Sequence, residues 1–170
     1  MDMITALAVS IGLLGGVATW LFLGPLGTLG LSIWAAFIGW ATFYHCGGKE
    51  AGLQKAIVNN LFGAVVAWVA LLLITKVPLA GSLGLPVWAA ICVAITVFVL
   101  VYAAKYPLFS DIPAGVLGYA AVVAMALAGG KLDALTAASF ANPLISIAIS
   151  LVIGALFGYV SEKAAGAIAK

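Results

Sequence analysis

The sequence predicts an all-α fold: a polytopic membrane helix bundle of about six transmembrane helices with a parallel two-helix repeat. Three observations predict it. Apolar residues make up 66% of the chain and charged residues only 7%, whereas a soluble domain clothes its surface with about 25% charged side chains. Apolar runs of roughly 20 residues, each able to cross a hydrocarbon layer about 30 Å thick, recur from end to end. Short stretches rich in glycine and proline separate them, and none is long enough to lead to a water-soluble domain. Residues 1–170 therefore read as a single integral membrane domain.

The first span is expected over residues 4–22. It follows Met1-Asp2-Met3, which lacks the positive n-region of a secretory signal, so it is expected to be retained. Gly24, Pro25, Gly27 and Gly30 break the chain before a short second span over 31–46. Gly47-Gly48 opens the connection to a third span over 56–74, and the stretch 75–86 connects it to a fourth over 87–104. The fifth, over 114–127, is also short. Pro113 suits its first turn or a kink, a start near Pro107 is open, and so is a partly re-entrant path whose backbone protein or water must cover. The sixth runs over 144–160.

Lysine supplies all the positive charge, and its distribution sets the orientation. Lys49, Lys55, Lys105, Lys163 and Lys170 fall on one side of a six-span arrangement, Lys76 and Lys131 on the other. Both termini are thus expected in the cytoplasm. The lysines are scattered singly, which gives nucleic acid no electrostatic footprint.

A repeat is read from Leu29-Gly30-Leu31-Ser32-Ile33-Trp34-Ala35-Ala36 beside Leu83-Gly84-Leu85-Pro86-Val87-Trp88-Ala89-Ala90, where six of eight positions agree. Leu, Gly and Ala coincide easily here, but tryptophan occurs only five times in the chain. Two spans separate the copies, so they would share one orientation. The plainer reading makes Trp34 and Trp88 anchors at the lipid headgroup level.

Catalysis needs positioned nucleophiles, bases or metals, and no such set is recognisable, so an enzyme is not expected, nor a cofactor. His45 is the sole histidine, at a helix end without a second ligand, and reads as interfacial. Cys46 and Cys92 read as packing residues in apolar helices. Asn59 and Asn60 stand out, because an amide in hydrocarbon must face protein or water. They read equally as contacts for a small polar solute and as helix–helix glue. Asn142, Ser146, Ser150, Gly154 and Gly158 recur at every fourth position, a stripe that reads first as a close helix seam and second as a solute path. Gly12 and Gly16 repeat that spacing in the first span, so the first and last helices are candidates to pack together within a chain or between chains. Trp34, Phe37 and Tyr44 roughly share a face, which allows an aromatic constriction, although anchoring and packing explain them as well. Asp111, ahead of Pro113, reads mainly as a solvated loop carboxylate and otherwise as an ion or proton site.

The run Ser32-Ile33-Trp34-Ala35-Ala36-Phe37-Ile38-Gly39-Trp40-Ala41, with Gly47-Gly48 and Asn59-Asn60-Leu61-Phe62-Gly63, resembles the small YcdZ-like inner-membrane proteins of bacteria, a domain of unknown function. The resemblance implies a multi-pass protein of the bacterial inner membrane and supplies no catalytic residues. Asn59-Asn60-Leu61 and Asn142-Pro143-Leu144 are also similar to the Asn-Pro-Leu segments of urea transporters. Those proteins are much larger, and the proline is missing after Asn60. The function expected is a small channel or facilitator for a neutral polar solute of the urea, amide or ammonia class, with a non-transporting scaffold or accessory subunit as the alternative. The expected partners are the lipid bilayer, further copies of the chain and such a solute.

Overall fold

The computed structural model describes residues 1–169; Lys170, counted above among the lysines of one side, lies outside the described residues. The chain is helical, in the order α1 (Met3–Leu23), α2 (Pro25–Thr28), α3 (Ile33–His45), α4 (Lys49–Lys76), α5 (Ala80–Leu83), α6 (Leu85–Tyr102), α7 (Ile112–Leu127) and α8 (Pro143–Ile168), with 3₁₀ turns at Ala103–Lys105, Pro107–Phe109 and Leu132–Ala134. α2 and α5 are single turns.

Among the described residues, four stretches are long and apolar enough to cross a membrane: Met3–Thr28, Lys49–Lys76, Leu85–Lys105 and Pro143–Ile168. α3 and α7, with 13 and 16 residues, reach only about 20 and 24 Å at 1.5 Å per residue, short of a layer about 30 Å thick. All six expected spans are thus helices, and the two that read as short are short. The third begins earlier than expected. Gly47, Gly48 and Lys49 have φ of 95°, 68° and 57°, so three successive left-handed residues reverse the chain and α4 starts at Lys49. Pro113 sits in the first turn of α7, where the missing N–H costs no helical bond. Pro107 belongs to a separate 3₁₀ turn and does not extend that helix.

The chain forms two compact units, one of residues 1–57 with 149–169 and one of Val58–Ala148. In the first, α3 lies on α8 so closely that a Cβ on Gly39 would meet the Leu151 carbonyl and one on Gly154 the Ala36 carbonyl. Phe22, Leu31 and Ala36 form a core beside this seam, and Phe43, Ala56 and Ala155 a second one. In the other unit α7 lies on α4 in the same way. A Cβ on Gly118 would meet the Asn60 carbonyl, and one on Gly63 the Gly115 carbonyl.

The two seams correspond residue for residue. Ala36 and Gly39 of α3 match Gly115 and Gly118 of α7, and Leu151 and Gly154 of α8 match Asn60 and Gly63 of α4. Four residues before Ala36, the Ser32 N–H donates to the Ser150 hydroxyl at 3.0 Å. Four residues before Gly115, the Asp111 N–H donates to Asn59 Oδ1 at 3.2 Å. Ser150 and Asn59 each directly precede the matched Leu151 and Asn60. The packing therefore relates α3 to α7 and α4 to α8. The two-helix repeat marked by Trp34 and Trp88 would instead relate α3 to α6, and it does not describe these contacts. Trp34 is 39% exposed on α3, whereas Trp88 on α6 donates its Nε1–H to the Leu73 carbonyl at 3.3 Å.

Candidate functional site

The polar residues singled out in the sequence separate by what their side chains hold. Asn59 is buried, and both of its polar atoms are engaged. Its Oδ1 accepts the Asp111 N–H, and its Nδ2 donates to the Leu108 carbonyl at 3.4 Å. Both bonds tie the chain entering α7 to the middle of α4, where the Phe62 and Phe109 rings pack with centroids 4.3 Å apart. Asp111 is buried, 7% exposed, and is not the solvated loop carboxylate expected from its neighbours. Its Oδ1 accepts the Ala114 N–H at 3.1 Å. The carboxylate thus caps α7, where the positive end of the helix dipole favours a negative charge.

Asn60 differs. It is 1% exposed, and neither Oδ1 nor Nδ2 has a hydrogen-bond partner. Leaving an amide unpaired in apolar surroundings costs about 2–7 kcal/mol depending on the reference state. The close approach of α4 and α7 does not require it, because the matched position in the other seam is Leu151, equally buried at 1%. Leucine therefore serves the packing, and Asn60 carries a donor and an acceptor that the fold does not use.

The stripe along α8 is a seam over most of its length. Ser150 accepts the Ser32 N–H, Gly154 faces the Ala36 backbone and Gly158 faces the Phe43 ring. Within the chain its partner is α3, so the stripe does not pair the first and last helices there. On α1, a Cβ at Gly12 or Gly16 would meet nothing within 4 Å. Asn142 secures the chain ahead of α8. Its Nδ2 donates to the Leu135 and Ala137 carbonyls at 2.9 and 3.1 Å, and its Oδ1 accepts the Leu144 N–H. Ser146 is completely buried one turn further on.

The aromatic residues of α3 divide between its exposed and buried faces. Trp34 and Phe37 are exposed, Phe37 stacking on Trp40 at 5.9 Å. Trp40 is buried and donates to the Ser161 hydroxyl at 3.1 Å. Ser161, unnoticed in the sequence, is a junction. Its single proton goes to the Gly158 carbonyl at 2.7 Å, so Tyr44, 2.7 Å away, must be the donor to it. Glu162 accepts the Lys49 N–H at 2.7 Å and so fastens the left-handed turn before α4. Glu50 pairs with Lys163 at 2.9 Å and accepts the Tyr159 hydroxyl. A polar residue about one turn beyond Gly158 was the available signal for Ser161; for Glu162 nothing local foretells the turn it reaches. His45 is exposed in the last turn of α3, Cys46 caps that helix, and Cys92 is buried in α6.

Long apolar helices that meet in seams of glycine against backbone define a helical protein embedded in a membrane. The chain belongs to the family DUF1097, described as proteins of unknown function, whose model matches residues 8–166. No characterised protein and no solved structure matches it.

Proposed function

We propose that the chain is a small facilitator for a neutral polar solute of the urea, amide or ammonia class, and that Asn60 hydrogen-bonds the solute. The observation that carries this reading is the buried carboxamide of Asn60, with both polar atoms unpartnered at a position where the equivalent seam uses Leu151. A carboxamide offers one acceptor and two donor hydrogens, a match for urea or an amide, and its lack of charge lets a solute leave as readily as it binds. Asn59 and Asn142 are withdrawn from the solute path, since their hydrogen bonds hold the fold. The reading includes no chemical transformation and no cofactor. It places the protein in the bacterial inner membrane with both termini cytoplasmic, in assemblies of several copies.

The alternative, a non-transporting scaffold or accessory subunit, has its own support. Ser150, Asn59, Asn142 and Ser161 all serve intramolecular contacts, as a protein built only to hold shape would have them. Stopped-flow uptake into proteoliposomes separates the two. Urea, acetamide and ammonia are offered to vesicles containing the wild type or the Asn60→Leu variant. Faster uptake of one solute by the wild type, lost in the variant, supports the facilitator; permeability equal to empty vesicles across the panel ends it.

A further inference from the structure

The unit of Val58–Ala148 contains a cavity of about 460 Å³ between α4, α6 and α7, within the usual ligand-pocket range of about 300–1,000 Å³. Leu71 and Ile74 of α4, Leu85 and Val93 of α6, and Val123 of α7 form its walls, and Leu132 stands beside them. Two hydroxyls lie among the lining residues, and each is engaged. Thr75 donates to the Leu71 carbonyl at 2.8 Å, and the Tyr119 hydroxyl pairs with Thr96 at 3.1 Å. The walls offer hydrocarbon without a spare hydrogen-bonding side chain, which suits an alkyl chain and not a polar solute.

Charge enters at one end. Lys76 directly follows the lining residue Thr75 and is exposed, and Lys131 directly precedes the lining residue Leu132 and is half-buried. Asp133, exposed in the same turn, is the one acidic residue in the segments 75–86 and 129–143, so this end carries a net positive charge. A hydrocarbon groove with a lysine adjoining the lining residues Thr75 and Leu132 in sequence suits a two-part amphiphile with an anionic head.

We propose that this groove is a binding site for an anionic phospholipid, with one acyl chain between α4, α6 and α7 and the phosphate headgroup held by Lys76 and Lys131. The site is independent of Asn60 and of the solute reading.

The protein, reconstituted with phosphatidylglycerol or phosphatidylcholine and extracted in mild detergent, is examined by native mass spectrometry for lipid retained per chain. One phosphatidylglycerol per chain is expected, with phosphatidylcholine retained far less. Lys76→Gln with Lys131→Gln is expected to weaken phosphatidylglycerol retention roughly tenfold or more, while Lys49→Gln with Lys105→Gln, which removes the same number of cations elsewhere, leaves it unchanged. Ala89→Trp, which fills the groove from α6, is expected to abolish retention. Equal retention of both lipids, or equal losses in the two double-lysine variants, overturns the proposal by reducing the lipid to a nonspecific annulus. Full retention in a folded Ala89→Trp protein overturns it as well, and the lysine comparison decides the matter if that variant does not fold.

Discussion

At the scale of the residue, adjacent asparagines have opposite standing. Asn59 closes two hydrogen bonds to the chain entering α7, so Asn59→Leu strands the Asp111 N–H and the Leu108 carbonyl, each at about 1–3 kcal/mol when buried. Asn60→Leu removes two orphaned polar atoms and places at that site the side chain which the matched seam already uses. Thermal unfolding in detergent should show Asn59→Leu markedly destabilised and Asn60→Leu as stable as the wild type or more so. The reciprocal Leu151→Asn should be destabilised, because it buries an amide in a seam built for leucine. Asp2 gives a pH-dependent case. The Thr5 hydroxyl and N–H both donate to its carboxylate, holding its pKa below the ordinary value. A carboxyl depressed in the folded state stabilises it above the unfolded pKa and loses that contribution as pH falls through the folded one. Amide exchange at Thr5 should accelerate below about pH 4 and be insensitive to pH in Asp2→Asn beyond the intrinsic rate.

At the scale of the element, glycine spacing proved ambiguous and its surroundings decisive. Gly12 with Gly16 and Gly154 with Gly158 have the same sequence separation, yet the first pair faces open space and the second faces α3. The separation places two small residues on one face, and only a neighbouring helix turns that face into a seam. Gly63→Leu and Gly154→Leu should prevent stable folding, since each side chain would have to enter the carbonyl of a neighbouring helix and overpacking alone costs about 1–3 kcal/mol or more. Gly12→Leu and Gly16→Leu should leave the unfolding temperature of the isolated chain unchanged. If copies associate through α1, the between-chain pairing that the spacing of Gly12 and Gly16 allows, crosslinking in vesicles will show those two variants shifted toward monomer; unaltered crosslinking assigns association to another face.

At the scale of the whole molecule, the matched seams make the repeat one that relates α3 to α7 and α4 to α8. With both termini in the cytoplasm, as proposed, the turn after α4 is expected on the opposite side. Reporter fusions at each terminus and within residues 77–84 check this, and a periplasmic C-terminus removes the six-span arrangement. The sequence did not reveal this repeat because what it preserves is sparse. Ser32 to Gly39 and Asp111 to Gly118 share only Ile33/Ile112, Ala35/Ala114 and Gly39/Gly118, small or apolar types that abound in the chain. The Trp34 and Trp88 segments share more letters but do not share a packing role.

Composition and run length alone determined that the chain is helical and belongs in a membrane, because a hydrocarbon solvent imposes its requirement on every residue of a span and so leaves a continuous record. The shortness of α3 and α7 was recorded in the same way. Which polar groups the fold consumes, and which it leaves free, was decided only by tertiary structure. Asn59 and Asn60 are the same residue type side by side, and the difference between them is the proximity of Asp111 and Leu108, about fifty residues further along the chain. A hydrogen bond depends on where both partners come to rest, and sequence spacing within one helix fixes only one of them.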